Sequence, residues 1–418
     1  MSASMKRLLD HRRILLLQGK MGTFFCRFAT FLMDCGKQVH KINFNAGDAF
    51  FYCHKEQMSN FRGKLDEFSA FLTQIIDEHQ IEAVVCFNDC RPHHAIAQSV
   101  CGRLGVSFFV FEEGYLRPDY ITLEEHGING YSRLDASLIE GFDYASDKPK
   151  YTANRFWRLC VASIIYYAVV FVGKWRYPHY EHYRGLSIWQ EMLAWLIAPV
   201  RKAWRYYPDK KLQKYLTGQV SGQYYLVSLQ VHNDSQITHH SDYADIRDFI
   251  TEVMTSFAQH APAHTKIIFK HHPLDRGHRD YRRLIDKLSH QLGVTGRAFY
   301  GCDMHLPSLI RHSIGMITIN STTGLQSIYH KKPTKIMGRA LYDIERLTDQ
   351  QPLSLFWQNP TAPDYDFYLK FREYLIEQTQ LNGSFYGTSP WALPYMHTTQ
   401  VGEPPRDDSS NEHTRQSS

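Results

Sequence analysis

Ile267-Ile-Phe-Lys-His-His-Pro-Leu-Asp-Arg-Gly277 and Gly315-Met-Ile-Thr-Ile-Asn-Ser-Thr-Thr-Gly324 decide the fold of this chain. Each is a β-branched, apolar run that ends abruptly in cationic, small or polar residues. In an open α/β sheet the carboxyl ends of the strands face the ligand crevice. The first run therefore delivers Lys270, His271 and His272 to that edge. The second delivers Asn320, Ser321, Thr322 and Thr323, with Gly324 opening a helix whose N–H groups suit a phosphate. Cations from one strand end and hydroxyls from another predict an anion site.

Working towards the N-terminus, the same rhythm recurs. Ile14-Leu-Leu-Leu17 stops at Gln18-Gly-Lys-Met-Gly22, and a helix with Phe25, Phe28, Phe31 and Leu32 on one face follows. Gly19 and Gly22 lack the full dinucleotide fingerprint and read as a tight turn. Val39–Phe44, Ala83–Phe87 and Val106–Phe111 are further strands, separated by an amphipathic helix over 63–79 and another ending near Leu104. The last two strands end in Asn88-Asp-Cys-Arg-Pro92 and Glu112-Glu-Gly-Tyr-Leu-Arg-Pro118, which should bring Asp89, Arg91, Glu112, Glu113 and Arg117 together at one sheet edge. Taken singly, each carboxylate there reads as a helix cap or an arginine's partner. After Tyr224–Leu229 the carboxyl-end loop is Gln230-Val-His-Asn-Asp234, where Asp234 alone reads as a cap for the next helix.

The chain has 418 residues, 43% hydrophobic and 14% aromatic, with a net charge of +5. That length favours two cores over one. The mild basic excess suits anionic ligands or an anionic membrane face, and not nucleic acid. The eight cysteines form no C-x-x-C pair and no zinc spacing, no Asp-x-Asp motif is present, and no metal is expected. No signal-peptide pattern opens the chain, so a reduced, cytoplasmic protein is expected. Residues 151–222 are aromatic and basic. Their most apolar stretch, Leu159–Gly173, falls short of the roughly 20 residues that span a bilayer, so contact with the membrane surface is expected.

The expected architecture is α/β and GT-B-like: two doubly wound, Rossmann-like domains facing a central cleft, with an aromatic and basic helical insertion. The divisions are 1–150, a first Rossmann-like domain; 151–222, the insertion; 223–345, a second Rossmann-like domain; 346–397, a helical segment; and 398–418, a disordered tail.

Within this frame, Asn320-Ser-Thr-Thr-Gly-Leu-Gln-Ser-Ile-Tyr-His-Lys-Lys-Pro-Thr-Lys-Ile-Met-Gly338 resembles the capsule polysaccharide biosynthesis/export family, of the KpsS/LipB type. Gln18–Ala29, Lys41-Ile-Asn-Phe-Asn-Ala-Gly-Asp48, Glu112–Pro118 and the pair Leu229-Gln230…Lys270-x-His272-Pro273 agree with it, over roughly residues 12–385. The resemblance implies a retaining β-Kdo transferase. It would move the 2-keto-3-deoxy sugar acid Kdo from CMP-Kdo, its donor substrate and only small-molecule requirement, to a lyso- or phosphatidylglycerol-type lipid. The implied place is the cytoplasmic face of the inner membrane, as a peripheral protein. A KpsC-type Kdo transferase would act next, and capsule export machinery after it.

Carried over by position, Asp234 is the implied nucleophile and Glu112 the acid/base, with Glu113 as its substitute. His272 would contact sugar or phosphate. Asn320, Ser321 and Thr322 would bind the CMP phosphate with Lys270 assisting, and Gln230, Asp89, Arg91 and Arg117 complete the implied substrate-binding set. The long 151–222 segment between the Glu and Asp motifs is the expected lipid-acceptor site. Two other readings are a GT-B transferase using another nucleotide sugar, and a non-catalytic export or scaffold subunit.

Overall fold

A computed structural model describes residues 1–143, 149–152, 156–182, 188–233 and 235–392. Twelve strands build two sheets: β1 (Arg13–Leu16), β2 (Gln38–Asn43), β3 (Met58–Asn60), β4 (Ala83–Phe87), β5 (Ser107–Glu113), β6 (Tyr120–Glu125), β7 (Tyr224–Ser228), β8 (Lys266–Lys270), β9 (Ala298–Gly301), β10 (Gly315–Thr318), β11 (Thr334–Ile336) and β12 (Gln380–Asn382). The first sheet runs β12-β6-β5-β4-β1-β2-β3 and the second β11-β10-β7-β8-β9. In the first, β3 to β5 pair in parallel, while β6 and β12 pair antiparallel at the edge. The second is parallel throughout.

Both sheets share one winding. From the first strand of each, the chain steps outward one way, then returns to the centre and steps outward the other way. That is the doubly wound order, and its reversal opens a crevice at the strand ends. The reversal lies between β1 and β4 in one sheet and between β7 and β10 in the other. This is the GT-B-like plan, with helices Phe156–Val172 and Ile188–Thr217 between the two sheets.

Strands covered on both faces must be apolar throughout, and β4 and β7 are buried at every position. The helix Phe24–Asp34 buries Phe24, Phe25, Phe28, Ala29 and Leu32 against one face of the first sheet. The helix Phe68–His79 covers the other face through Phe68, Leu72, Ile75 and Ile76. In the second half, Ile246–His260 is started by Asp245, whose carboxylate accepts the Arg247 N–H at 2.8 Å. It buries Phe249, Ile250, Val253 and Phe257 at helical spacing. Each fully buried side chain of this size contributes about 2 kcal/mol.

Three strands escaped the sequence reading: β3 at one edge of the first sheet, and β6 and β12 at the other end. β6 folds back on β5, pairing Glu113 with Ile121 and Glu112 with Thr122. β12 follows the helix Tyr365–Gln378 and pairs with β6, so the end of the chain returns to the first sheet. A further apolar cluster ties the halves together: Tyr115 packs with Leu325, Ile328, Phe371 and Tyr374.

The cysteines depart from the all-reduced expectation at one pair. Cys26 and Cys53 are joined by a disulfide, with Cα atoms 5.4 Å apart. Packing of the helix Phe24–Asp34 beside the turn after Ala46–Phe51 creates this proximity, which residues 27 positions apart do not advertise. No helix among the described residues is long and apolar enough to cross a membrane.

Candidate active site

The first half supplies carboxylates from the end of β5. Glu112 accepts two hydrogen bonds: its Oε1 from the Glu113 N–H at 2.9 Å, its Oε2 from Asn88 Nδ2 at 3.2 Å. Glu113 instead pairs with Lys20 from the Gly-Lys-Met-Gly turn. Burial works to raise the Glu113 pKa, but the charges of Lys20 and Arg117 outweigh it and the net shift is downward. Glu113 is thus committed to a cation. Lys20 carried no role in the sequence reading, because a glycine turn alone does not say which strand end it faces.

The other residues expected at this edge diverge. Asp89 turns inward, is buried, and accepts the Ile128 N–H at 3.0 Å. Arg91 is buried over the Phe87 ring and donates to the Gly19 carbonyl at 3.3 Å. Arg117 is exposed and bonds back to the Gly114 carbonyl at 3.2 Å. Within this edge Glu113 and Arg117 are coupled, while Asp89 holds the Ile128 N–H and Arg91 the Gly19 carbonyl.

From the second half, His272 caps the short turn Pro273–Asp275, its Nδ1 accepting the Leu274 N–H at 3.2 Å. The proton of the neutral ring therefore sits on Nε2. Burial first, then the charge of Lys270 and, more weakly, of His271 and Arg117, push its pKa down to about 4. His272 is a neutral hydrogen-bond donor near pH 7, not a cation. Arg117 acts on it from the opposite half, so the two strand ends share one electrostatic space. Lys270 is buried, its Nζ 3.3 Å from the Cys302 carbonyl, and burial lowers its pKa.

His271, expected at the edge, points inward instead. Its Nε2 meets Asp275 at 3.0 Å and its Nδ1 meets the Tyr300 hydroxyl at 2.6 Å. His232 binds the other Asp275 oxygen at 2.5 Å. Alternation along β8 explains this, since neighbouring residues leave a strand on opposite sides.

Gln230 and Asn320 sit at the β7/β10 reversal and engage each other. Gln230 Nε2 donates to Asn320 Oδ1 at 2.9 Å, and the Asn320 N–H donates to Gln230 Oε1 at 3.2 Å. They lock the two strand ends. The phosphate cradle expected after Asn320 is corrected in part: Thr323 N–H bonds to Ser321 Oγ, Gly324 N–H to the Ser321 carbonyl, and Leu325 N–H to the Thr322 carbonyl. Those donors close the turn, and Ser321 and Thr322 stay half-buried at its surface. Asp234 lies outside the described residues.

One cavity adjoins Arg117, and none of the groups above lines the second. The first, 420 Å³, lies between Arg117, Pro118 and Tyr120 on one side and Leu325, Gln326 and Tyr329 on the other. The second, 740 Å³, runs between the helices Ala46–Phe51 and Phe156–Val172. Phe50, Val169, Val172 and Trp175 make it apolar, and Lys55, Arg62 and Arg176 add three cations. Tyr166 anchors the second helix by donating to Asp48 at 3.1 Å.

Behind the Glu112 turn lies Glu124, fully buried. It accepts from Tyr115 and from Ser132, both at 2.5 Å. Burial raises its pKa from 4.5 to about 7, against the pull of those two donors. A carboxyl that holds its proton more tightly when folded stabilises the fold below the unfolded pKa, and that stability is lost as pH rises through the folded one. A shift from 4.5 to about 7 corresponds to roughly 3 kcal/mol. Between pH 4.5 and 8, urea unfolding should show Glu124→Gln gaining on wild type by up to that amount. Parallel pH profiles for the two proteins would contradict the shift.

Two doubly wound halves with carboxylates on one side of a crevice, and a neutral histidine and buried lysine on the other, define a GT-B-type protein. The sequence profile described as "Capsule polysaccharide biosynthesis protein" matches residues 82–386, and the chain belongs to that family. It is 41% identical over 402 residues to "Capsule polysaccharide modification protein LipB" of Neisseria meningitidis serogroup A, covering 94% of this chain and 95% of that protein. It is 39% identical over 383 residues to "Capsule polysaccharide export protein KpsS" of Escherichia coli, covering 91% and 98%. Among solved structures, "Thermosulfurimonas dismutans KpsC, beta Kdo 2,7 transferase" is 12% identical, with 85% of this chain and 88% of that one covered and a TM-score of 0.42.

Proposed function

We propose that this protein is a retaining β-Kdo transferase that moves Kdo from CMP-Kdo to a phosphatidylglycerol-type lipid, starting the linker on which capsular polysaccharide is built. One observation carries the reading. A carboxylate held by two donors (Glu112) and a neutral histidine donor (His272) come from strand ends of opposite halves, and Arg117, coupled to the neighbouring Glu113, is felt electrostatically by His272.

The chemistry follows from those groups. As CMP departs, the sugar becomes oxocarbenium-like and a carboxylate beside it can capture it; Asp234 holds that role in the proposal. CMP leaves as a phosphate monoester and needs little protonation. Its charge is met by His272 Nε2–H, by Lys270 and by the hydroxyls of Ser321 and Thr322. Glu112 then takes the proton from the acceptor hydroxyl as that oxygen attacks.

The 740 Å³ groove suits a phospholipid: apolar walls for an acyl chain and three cations for a phosphate. Beside it, Ile164 (64% exposed), Phe171 (60%) and Val172 (73%) turn apolar surface outward. This supports a peripheral position on the inner face of the inner membrane, next to a KpsC-type transferase and the export machinery. Replacing Ile164, Phe171 and Val172 together by serine should cut recovery on anionic phospholipid vesicles at least tenfold, because each buried apolar side chain contributes about 1.5–3 kcal/mol. CMP binding should stay unchanged. Equal vesicle recovery would remove the membrane assignment.

The deciding experiment is mass spectrometry of purified protein with CMP-Kdo and a lyso-phosphatidylglycerol analogue, run beside UDP-sugars. A Kdo–lipid product is expected with CMP-Kdo alone. Product from a UDP-sugar would change the donor. Absence of any product, with CMP-Kdo bound, would favour a non-catalytic export subunit.

A further inference from the structure

Three side chains of different chemistry meet where the halves touch, and neither the fold nor the transferase reading uses them together. Asp89 and Cys90 follow β4 in the first half. His240 ends the helix Ser235–His240 after β7 in the second. All three are buried, at 2%, 6% and 1% exposure. Their carboxylate oxygen, thiol sulfur and imidazole nitrogen lie within 4.8 Å of one another. Cys90 Sγ is 3.3 Å from Asp89 Oδ1 and 3.7 Å from His240 Nε2.

Those separations match a particular geometry. A tetrahedral zinc-class ion holds sulfur at about 2.3 Å and nitrogen or oxygen at about 2.0 Å, so its sulfur–nitrogen and sulfur–oxygen edges are each about 3.5 Å. A carboxylate, a thiolate and a neutral imidazole also balance the two positive charges of the ion, leaving the buried site neutral.

The surroundings aim each group. The Ile128 N–H holds the other Asp89 oxygen at 3.0 Å, and the Cys90 N–H is tied to Asn88 Oδ1 at 3.1 Å. The His240 carbonyl accepts from the Arg339 N–H at 2.7 Å and from Asn320 Nδ2 at 3.2 Å. Tyr131 stands edge-on to the imidazole at 4.4 Å. Gly130 clears room for the ring, since a Cβ there would sit 2.6 Å from Nδ1. Partners of this kind orient metal ligands.

We propose that Asp89, Cys90 and His240 bind a divalent zinc-class ion that clamps the two halves of the protein together, its fourth position filled by solvent or a substrate oxygen. One thiolate, one imidazole and one carboxylate favour zinc or cobalt over magnesium or calcium. Binding exchanges the Cys90 S–H proton for the metal–sulfur bond, and the proton leaves to solvent. Because the ligands come from both halves, the ion binds the closed arrangement and shifts the population towards it. Asn88, which tethers the Cys90 backbone, also donates to Glu112, so the clamp sits next to that carboxylate. The proposal stands whether or not the transferase reading does.

The test uses the full chain, stripped with a chelator and titrated with cobalt(II). A near-ultraviolet thiolate-to-cobalt band should grow to one equivalent, vanish on adding zinc, and be accompanied by proton release. Cys90→Ser should abolish the band, and His240→Gln should weaken cobalt affinity at least tenfold, the loss that even an outer partner causes. Should either variant misfold, X-ray absorption of zinc-loaded wild type decides: one sulfur in a mixed nitrogen/oxygen shell supports the site, and a shell without sulfur overturns it. A folded protein showing no band in excess cobalt, or a band unaltered in Cys90→Ser, also overturns it.

Discussion

Glu112→Gln should lower transfer from CMP-Kdo by about 10²–10⁴-fold while CMP-Kdo still binds, the range expected when a positioned base is removed. The argument rests on what each neighbouring carboxylate already does. Glu113 is ion-paired with Lys20, its pKa held down, so taking a proton would break an existing pair. Glu112 accepts from Asn88 Nδ2 and from the Glu113 N–H, both uncharged donors. Glutamine at 112 preserves size but places an N–H₂ where a donor already points. Glu113→Gln should cost less, and mostly in substrate affinity, by releasing Lys20. Steady-state kinetics on both variants separate the roles: a near-normal Glu112→Gln beside an inactive Glu113→Gln would exchange them.

Gly114→Ala should be the most damaging single-methyl change in the site. A Cβ at Gly114 would stand 2.0 Å from the Tyr120 carbonyl oxygen and 2.6 Å from its carbon. Those are backbone atoms of the strand paired with β5, so no side-chain rotation relieves the contact. Relief requires β6 to move away from β5, which drags Tyr115 from the cluster joining the halves and shifts Glu112 and Glu113. Overpacking of this kind costs roughly 3 kcal/mol. Thermal or urea unfolding should show that loss, and transfer should fall with it at temperatures where the variant remains folded. Gly105→Ala is the control. It ends a helix with φ 69° and nothing lies within 4 Å of its Cβ, so it should cost only the conformational strain of an alanine there, about 1 kcal/mol. Equal losses for the two variants would show that the crowding at Gly114 is absorbed.

Much of this architecture was legible in the residues. Runs such as Ala83–Phe87 and Tyr224–Leu229 announce strands covered on both faces, and amphipathic helices between them imply a doubly wound plan. The ends of those runs are sites for the same reason: where apolar residues stop, the sheet edge begins. Glu112, His272, Lys270 and the Gln230/Asn320 pair could therefore be placed at the crevice from spacing and family resemblance. Which atoms face which could not. Strand alternation sent His271 inward to Asp275 and Tyr300 while its neighbours faced the crevice. Arg117 bonded back to the Gly114 carbonyl while Asp89 and Arg91 took the Ile128 N–H and the Gly19 carbonyl, and three of the expected phosphate donors closed their own turn.

Long-range pairings left no local trace at all. Lys20 meets Glu113, Cys26 meets Cys53, β12 returns to β6, and His240 reaches Asp89 and Cys90 only once two sheets have wound and docked. Sequence alone determined which segments become strands and helices and where each presents its polar end, because burial on both faces of a sheet dictates periodicity residue by residue. Tertiary structure decided the partners of those ends, because distance across a crevice depends on strand order and domain packing, which no local pattern encodes.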